Sequence, residues 1–398
     1  MEWKKYKLSE IGEIVSGATP RTNVTDNYGG DIAWLTPADL SGYTQKYISR
    51  GARNITQQGY DSCSTTLMPK GTVLFSSRAP IGYVAIAAND ICTNQGFKSV
   101  VPSHNIDSEF LYYQLLLLRD KIRDMGSGTT FKEISGKKLG EVEITVTSLD
   151  EQRRIVSRIE ELFSELDNSV STLQKTKEQL AVYRQAVLKD AFKGNYNYEP
   201  LSTISKAIGG YAFKSKMYSD SGKYIVVKIG NVKSQGFDFT RDLTKTTECD
   251  KSILEKYLLK KGDCVISLTG SRGKRDYGFV CIISDESNYL VNQRVAALRF
   301  NTKRALPEFY YYYLASPLYR DDFFKYETGN VGQGNVGIKA LIEPMVPVPS
   351  MNEQEELVTE IESHLSVCDS IEQTVDTALQ QAEAMRQSIL KQAFEGRL

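Results

Sequence analysis

Basic and amide side chains in glycine-rich loops are the residues of this sequence with the clearest binding chemistry. Six loops carry them, at residues 17–23, 76–80, 126–132, 210–216, 269–277 and 329–339. Arg and Lys can bond phosphates or guanine edges, whereas Asn, Gln, Ser and Thr suit adenine edges and backbone positioning. The loops therefore predict contacts to nucleic acid, with solvated loops of ordinary charge as the alternative.

The candidate contact residues form two sets, one in each half of the chain. Asn94-Gln95 recurs as Asn292-Gln293, so these shared positions are predicted to hold the scaffold or to touch phosphate, and unmatched loop residues to read bases. The densest basic cluster contains Arg272, Lys274 and Arg275. The first set is Thr19, Arg21, Ser77, Arg78, Asn94, Gln95, Thr130 and Lys132, and the second is Lys214, Lys216, Ser271, Arg272, Lys274, Arg275, Tyr277, Asn292, Gln293, Gln333, Asn335 and Lys339.

Catalytic motifs are missing from the sequence. It has no Gly-x-Ser-x-Gly elbow and no His-Glu-x-x-His, and its two histidines are His104 and His364. The stretch 270–275 lacks the spacing of a phosphate-binding loop. A DNA methyltransferase with a fused recognition domain would need an Asp/Asn-Pro-Pro-Tyr/Phe motif and a glycine-rich cofactor loop, and neither occurs. We predict no catalytic residue and no metal site.

Two copies of one 44-residue stretch must position these loops. Residues 151–194 and 353–396 align without a gap and share sixteen identities. Each copy carries apolar residues at heptad spacing and lacks proline and internal glycine, which predicts a helix of about 65 Å. The predicted seam comprises Ile155, Ile159, Leu162, Leu166, Leu173 and Leu180 in the first copy and Leu357, Ile361, Ile371, Val375, Met385 and Ile389 in the second.

Polar residues interrupt this seam. Ser169 and Thr176 in the first copy and His364 and Cys368 in the second are predicted to set the register of the helix pair. A metal site at His364 is the alternative, but it would need a second ligand one turn away.

Each helix follows a globule of similar outline, so the chain divides into repeated halves. The prediction is an α+β fold: two strand-rich mixed domains separated by two long helices that pair as an intramolecular antiparallel coiled coil, with pseudo-twofold symmetry. The predicted divisions are domain 1 at 1–149, a central helix at 150–194, a linker at 195–200, domain 2 at 201–350 and a distal helix at 351–398. In domain 1, Ser108 is predicted to cap a helix.

Composition bounds the setting in which the chain works. With 398 residues and 41% apolar residues it can form two or three cores, and it has no apolar run long enough for a signal peptide or a membrane span, so we expect a cytoplasmic protein. The six cysteines contain no Cys-x-x-Cys pair and predict buried reduced thiols. Ten acidic and three basic residues follow position 350, so the neutral average conceals a basic body and an acidic helix.

The pattern resembles the specificity subunit of Type I restriction-modification systems over essentially the whole chain. The residues that carry the resemblance are the two half-repeats, the Glu151-Gln152 and Glu353-Gln354 openings, and the Ala-Phe-x-Gly closures of both helices. The first half departs from it modestly, because residues 140–147 lack the prolines found at Pro347 and Pro349.

The resemblance implies a non-catalytic subunit with two target-recognition domains. Each domain would read half of an asymmetric bipartite DNA target, and the helices would set the spacer and dock two methyltransferase subunits. S-adenosylmethionine and ATP would bind only the methyltransferase and the restriction motor-nuclease partners, and no membrane is implied. A coiled-coil scaffold that binds only proteins is the remaining alternative, but it gives no reason for duplicated globules with basic loops.

Overall fold

The chain consists of two compact units, and both long helices contribute to each of them. The structure, a computed structural model, describes residues 3–128, 132–246, 250–286, 288–330 and 332–398. Unit 1 comprises residues 1–173 and 377–398, and unit 2 comprises residues 174–376. The long helices α5 (Leu149–Ala191) and α10 (Met351–Phe394) therefore run from one unit into the other.

The remaining elements are short. Unit 1 contains β1 (Lys4–Lys7), α1 (Leu8–Ile11), β2 (Gly12–Ser16), β3 (Tyr28–Ile32), β4 (Trp34–Leu35), β5 (Tyr47–Ile48), α2 (Gln57–Asp61), β6 (Val73–Phe75), β7 (Val84–Ala87), β8 (Cys92–Thr93), β9 (Lys98–Pro102), α3 (Ser108–Asp124), α4 (Gly136–Gly140) and β10 (Glu143–Val146). Unit 2 contains β11 (Tyr198–Pro200), β12 (Ser205–Gly209), β13 (Tyr224–Val227), β14 (Val232–Lys233), β15 (Gly236–Phe237), β16 (Lys245–Thr246), α6 (Lys251–Tyr257), β17 (Cys264–Ser267), β18 (Thr269–Gly270), β19 (Val280–Ile282), β20 (Tyr289–Val291), β21 (Val295–Phe300), α7 (Pro307–Ala315), α8 (Pro317–Lys325), β22 (Gly334–Asn335), α9 (Ile338–Ile342) and β23 (Met345–Pro347).

The strand order shows that the two units share one topology. The main sheet of unit 1 runs β2-β9-β6-β7-β5, and that of unit 2 runs β12-β21-β17-β19. The first four strands correspond in order and in antiparallel sense. A parallel pair also recurs, β4 with β8 and β13 with β20. The repeated globules predicted from the sequence are confirmed.

The long helices run antiparallel. In unit 1 the start of α5 packs with the end of α10, because Ile155 and Ile159 share a core with Leu390 and Phe394. In unit 2 the end of α5 packs with the start of α10 in the same core as the sheet. Interhelical ion pairs follow the same sense in each unit: Arg386 pairs with Asp167 in unit 1, and Arg184 pairs with Asp369 at 2.7 Å in unit 2.

Most residues of the predicted seam are buried at one of its two alternating positions, whereas several residues at the other position are exposed. Ile155, Ile159, Leu166, Leu180, Ile361, Val375 and Ile389 are buried, and Leu162, Leu173 and Leu357 are half-buried. Ile371 and Met385, however, are 40% and 53% exposed. At this second position, the residues that face the partner helix lie one residue later than predicted. Examples are Arg184, Glu372 and Arg386, where ion pairs between the helices replace apolar contacts.

Two further local predictions need correction. The cap of α3 is Asp107 rather than Ser108, because the Asp107 carboxylate accepts hydrogen bonds from the amides of Glu109 and Phe110, both at 3.0 Å. The predicted linker 195–200 ends in strand β11, which pairs with β23. The pairing of β1 with β10 in unit 1 is equivalent, so each domain closes with a two-stranded sheet beside a long helix.

The glutamines at the start of the long helices fasten each helix to its own domain. Gln354 is fully buried; its Oε1 accepts from the Leu306 amide at 2.7 Å, and its Nε2 donates to the carbonyls of Arg304 and Pro349, both at 2.9 Å. Gln152 makes the equivalent three bonds in unit 1. This buried network explains why a glutamine is the second residue of both copies.

Candidate nucleic-acid interface

In unit 1, a tight turn brings the first predicted loop against the turn that holds Asn94 and Gln95. The Phe97 amide donates to the Asn94 carbonyl at 3.2 Å, which closes the turn. The Thr19 hydroxyl donates to Gln95 Oε1. Gly17 allows this approach, because a Cβ there would lie 2.2 Å from the Asn94 carbonyl oxygen.

The second and third loops of unit 1 reach the same turn from its other side. The amides of Ser77 and Arg78 both donate to the Gly96 carbonyl, at 2.7 and 3.4 Å. Arg78 in turn forms an ion pair with Glu133 at 3.4 Å, and the Ile134 amide donates to the Ser77 carbonyl at 3.0 Å. Residues 17–21, 76–80, 94–96, 126–128 and 132–134 therefore form one surface, hereafter loop cluster 1.

Unit 2 builds the corresponding surface with the same device. The Val295 amide donates to the Asn292 carbonyl at 3.1 Å, which closes a turn. The Gln293 amide donates to the Tyr211 carbonyl at 2.9 Å. Gly210 occupies the place of Gly17, because a Cβ there would lie 1.8 Å from the Asn292 carbonyl oxygen. Only glycine fits at either position without moving the turn, because every other residue carries a Cβ.

The remaining loops of unit 2 join this turn through the backbone. The Leu268 amide donates to the Arg294 carbonyl at 2.9 Å, so residues 269–277 begin beside the turn. Strand β18 then pairs with β22, and Arg272 Nη1 donates to the Gly329 carbonyl at 2.8 Å. Residues 210–216, 269–277, 292–294, 328–330 and 332–339 form loop cluster 2.

The three cations of residues 269–277 in loop cluster 2 differ in how freely they can meet a ligand. In cluster 2, Arg275 pairs with Asp321 at 2.7 Å, and Arg272 is tied to Gly329, whereas Lys274 is exposed with no ion pair among the residues that the structure describes. Both arginine side chains remain substantially solvent-accessible. All three basic residues predicted at 272–275 are therefore exposed, and two of them also hold the loops together.

The other predicted contact residues divide by exposure. Exposed residues are Arg21, Gln95, Lys132, Lys214, Lys216, Gln293, Gln333 and Lys339, and half-buried ones are Thr19, Arg78, Asn94, Ser271, Asn292 and Asn335. Thr130 lies outside the described residues. Exposed residues around a shared turn are suitable for contacting phosphates and base edges.

Two predicted contact residues are buried and play a different part. Tyr277 is 1% exposed, and its hydroxyl donates to Glu327 at 2.8 Å, so it anchors loop 269–277 from below instead of facing a ligand. Burial, together with the Glu327 carboxylate, raises the pKa of this phenol. Ser77 is also buried and contributes its backbone to the turn.

Unpartnered polar atoms gather at both turns. In the described part of the chain, seven buried side-chain oxygens lack a hydrogen-bond partner. Four of them belong to Ser77 in loop cluster 1, to Thr93 directly before its Asn94 turn, and to Thr269 and Asn292 in loop cluster 2. Buried polar groups are usually bonded, and exceptions concentrate at functional sites.

Sequence reasoning missed residues that lack a motif but lie at the clusters. Lys98 follows the first turn and is half-buried; burial and the neighbouring Arg78 lower the pKa of its ammonium group, against the opposing effect of Glu133. Arg320 donates to the carbonyls of Arg275, Tyr277 and Gly278 and so fixes the second loop. Neither role has a signal in the sequence, because both depend on contacts between distant segments.

Among the residues that the structure describes, no group of three or more His, Cys, Asp or Glu side chains is placed to hold a metal ion. His364 is exposed, with Nδ1 3.4 Å from the Tyr183 hydroxyl. No described helix is both long and apolar enough to span a bilayer.

Two like loop clusters, each built on a strand-rich domain and joined to paired helices, define a DNA-recognition protein. The chain belongs to the family of Type I restriction modification DNA specificity domains, whose model matches residues 1–180 and 194–381. It is thus a recognition subunit of a restriction-modification system and not itself an enzyme.

Known relatives agree with this assignment. The chain is 41% identical over 201 residues to the Type I restriction enzyme MjaIX specificity subunit of Methanocaldococcus jannaschii, which covers 50% of this chain and 45% of that protein. It is 23% identical over 423 residues to the EcoBI specificity subunit of Escherichia coli, covering 100% of this chain and 86% of that one.

Solved structures share the fold. A chain from the study "Structural basis underlying complex assembly and conformational transition of the type I R-M system" superposes with a TM-score of 0.73 at 16% identity, covering 100% of this chain and 98% of that one. The HsdS subunit from Thermoanaerobacter tengcongensis gives a TM-score of 0.57 at 17% identity, covering 100% and 97%.

Proposed function

We propose that this chain reads a bipartite, asymmetric sequence in double-stranded DNA, with each loop cluster reading one half-site. The observation that carries the proposal is the recurrence of one construction in both units: a glycine that admits the first loop, and an Asn-Gln turn on which the other loops meet. Two like surfaces with different side chains suit two half-sites of different sequence. A single continuous target would need only one.

The paired helices set the spacer between the half-sites in this proposal. Arg386 with Asp167 and Arg184 with Asp369 are equivalent under the internal repeat, so the same ion pair recurs in each unit. Lys177 adds a pairing with Asp376 at 2.7 Å. Charged pairs at fixed positions specify register in helix pairs, and a fixed register keeps a rod at a fixed length.

The outer face of the helices is the docking surface for two methyltransferase subunits. In unit 2, Tyr183, Val367 and Ile371 are 47%, 58% and 40% exposed, and in unit 1 Met385 is 53% exposed. Apolar side chains of this size on a helix surface favour a protein partner. The acidic exposed residues of α10 also suit a protein, because DNA would repel them.

The chemistry would come from the partners. We propose that S-adenosylmethionine binds only to the methyltransferase subunits and ATP only to the restriction motor-nuclease subunits, with no cofactor on this chain and no membrane partner. The complex would act in the cytoplasm, where its DNA is. Purified chain incubated with DNA and S-adenosylmethionine should therefore transfer no methyl groups.

Matched deletions in the two helices test the proposal. Removing residues 170–176 and 377–383 together takes one heptad from each helix and shortens the pair by about 10 Å. At about 3.4 Å per base pair, the preferred spacer should shorten by up to about three base pairs. Sequencing of methylated adenines in cells that carry the complete complex would display both half-sites and the spacer between them.

The matched control inserts the same heptads a second time, which should lengthen the spacer. Both variants keep the ion pairs that flank the cut, so the helices can still pair. An unchanged spacer in both variants, with methylation retained, would refute the role of the helices. Methylation of one continuous motif would refute the bipartite reading.

A further inference from the structure

Arg294 holds a backbone conformation that glycine adopts most readily. It is the third residue of the turn from Asn292 to Val295, and its φ is 69°. A positive φ at the third position of a tight turn normally selects glycine, because a Cβ crowds the backbone there. Strained residues of this kind persist where the surroundings fix them, and they cluster at functional sites.

Nothing in the fold of unit 2 requires an arginine at this position. The side chain is exposed and, in the part of the chain that the structure describes, makes no ion pair or hydrogen bond. Its backbone carbonyl accepts a hydrogen bond from the Leu268 amide, and any residue at this position could accept that bond. The free-energy cost of the positive φ is therefore not offset by an ion pair or hydrogen bond of this side chain among the described residues.

The equivalent position in unit 1 is Gly96. A Cβ there would lie 2.6 Å from Pro37 Cγ and 2.9 Å from Asn94 Oδ1, so loop cluster 1 has no room for a side chain at this point. Loop cluster 2 has that room and fills it with an arginine. The backbone differs as well, because φ is positive at Arg294 and is not positive at Gly96, so the turn itself does not require the conformation that Arg294 holds.

Hydrogen bonds on both sides of Arg294 also fix the backbone that carries this guanidinium. On one side the Gln293 amide is bonded to the Tyr211 carbonyl, and on the other the Arg294 carbonyl is bonded to the Leu268 amide. The side chain thus emerges where residues 210–216 and 269–277 meet. Arg272 donates to the Gly329 carbonyl and Arg275 donates to the Asp321 carboxylate. In the described part of loop cluster 2, the Arg294 guanidinium keeps all its donors free for a ligand.

We propose that Arg294 is a specificity-determining residue that donates two hydrogen bonds to O6 and N7 of a guanine in the second half-site. A guanidinium on a fixed backbone makes this contact with two coplanar donors in a rigid fork, whereas a lysine ammonium is a point charge on a flexible stem and defines the geometry less well. The inference rests on the proposed function of loop cluster 2. Loop cluster 1, with glycine at this position, reads its half-site without such a contact.

The test is Arg294→Gly in the complete methyltransferase complex. Glycine relieves the positive φ, so the variant should fold and its Tm should stay the same or rise by about 2 °C. Affinity for the target should fall at least tenfold, and discrimination at one G·C pair of the second half-site should be lost. Preferences in the first half-site should not change. Binding would be measured on an oligonucleotide set that varies each base pair in turn.

A conservative variant separates base reading from charge. Arg294→Lys keeps the cation but loses the rigid two-donor fork, so discrimination at the same base pair should fall, although less than in Arg294→Gly. If the lysine variant keeps the base preference, or if Arg294→Gly weakens all sequences alike and reduces the salt dependence by about one phosphate contact, Arg294 binds the backbone and the inference is wrong.

The neighbouring residues distinguish failure of this inference from failure of the proposed function. The double variant Gln293→Ala/Lys274→Ala changes two exposed residues of the same cluster. If it weakens target binding while Arg294→Gly does not, the inference on Arg294 is overturned and DNA recognition by loop cluster 2 stands. If neither variant changes binding or specificity, both are overturned.

Discussion

The buried glutamine that opens α10 offers a sharp test of how a recognition domain is joined to its helix. Gln354→Leu keeps the approximate volume of the side chain but removes every hydrogen bond that it makes. The Leu306 amide and the Pro349 carbonyl then remain in an interior site without a partner, and the exposed residue Arg304 loses a bond from its carbonyl.

The expected loss of stability follows from these three groups. A buried donor or acceptor left without a partner costs about 1–3 kcal/mol, and the Arg304 carbonyl costs less because water can reach it. Burial of the leucine methyl groups returns about 1 kcal/mol. The net loss is about 3 kcal/mol, which for a unit of this size lowers the Tm by about 6–12 °C.

Denaturant unfolding and amide hydrogen exchange would measure the effect. The Leu306 amide should exchange much faster in Gln354→Leu, whereas the Asp107 amide, bonded to Gln152 in unit 1, should be unaffected. Gln381→Leu, an exposed change of the same chemistry on the same helix, is the control. A loss below about 1 kcal/mol, with Leu306 still protected, would refute the reasoning that this glutamine fastens helix to domain.

Three further predictions concern charge and protonation. Arg184→Met should lower the free energy of unfolding by about 1 kcal/mol, and a double-mutant cycle with Asp369→Asn should show coupling that weakens in high salt. Burial raises the pKa of Cys281 to about 12, so mass spectrometry after alkylation at pH 8 should find the partly exposed Cys63 modified well before Cys281. Hydrogen bonds from its own loop lower the pKa of Asp276, so the loop's stabilisation should be present above about pH 4 and lost as the pH falls through the lowered pKa, as NMR titration of that carboxyl would show.

The duplication and the helix pair could be predicted because both are encoded in local patterns. A heptad repeat and two glycine-closed helices are visible in the sequence itself, and the repeat fixes which parts must fold alike. The seam was only half predictable, because an apolar pattern marks positions that avoid water and does not mark positions occupied by ion pairs. Arg184 and Glu372 lie in the second stripe, yet their charge excluded them from a seam chosen by hydropathy.

The hydropathy pattern also fails for two apolar residues of the predicted seam that are exposed in the structure. Ile371 and Met385 fit a heptad pattern, yet in this chain they face away from the partner helix. A pattern search cannot tell a residue buried within the chain from one that a second protein would cover. If a methyltransferase docks on this face, the two positions become buried only in the complex, and the sequence prediction fails for the isolated chain alone.

Contact residues were the least predictable part of the molecule, because composition identifies loops but cannot say which loops meet. Arg272 and Tyr277 are both predicted to contact DNA, yet one is exposed and the other is buried under its own loop. Arg294 had no signal at all until the turn that carries it could be compared with its counterpart at Gly96. Comparing the two units separates what the scaffold requires, which must occur twice, from what a half-site requires, which need occur only once.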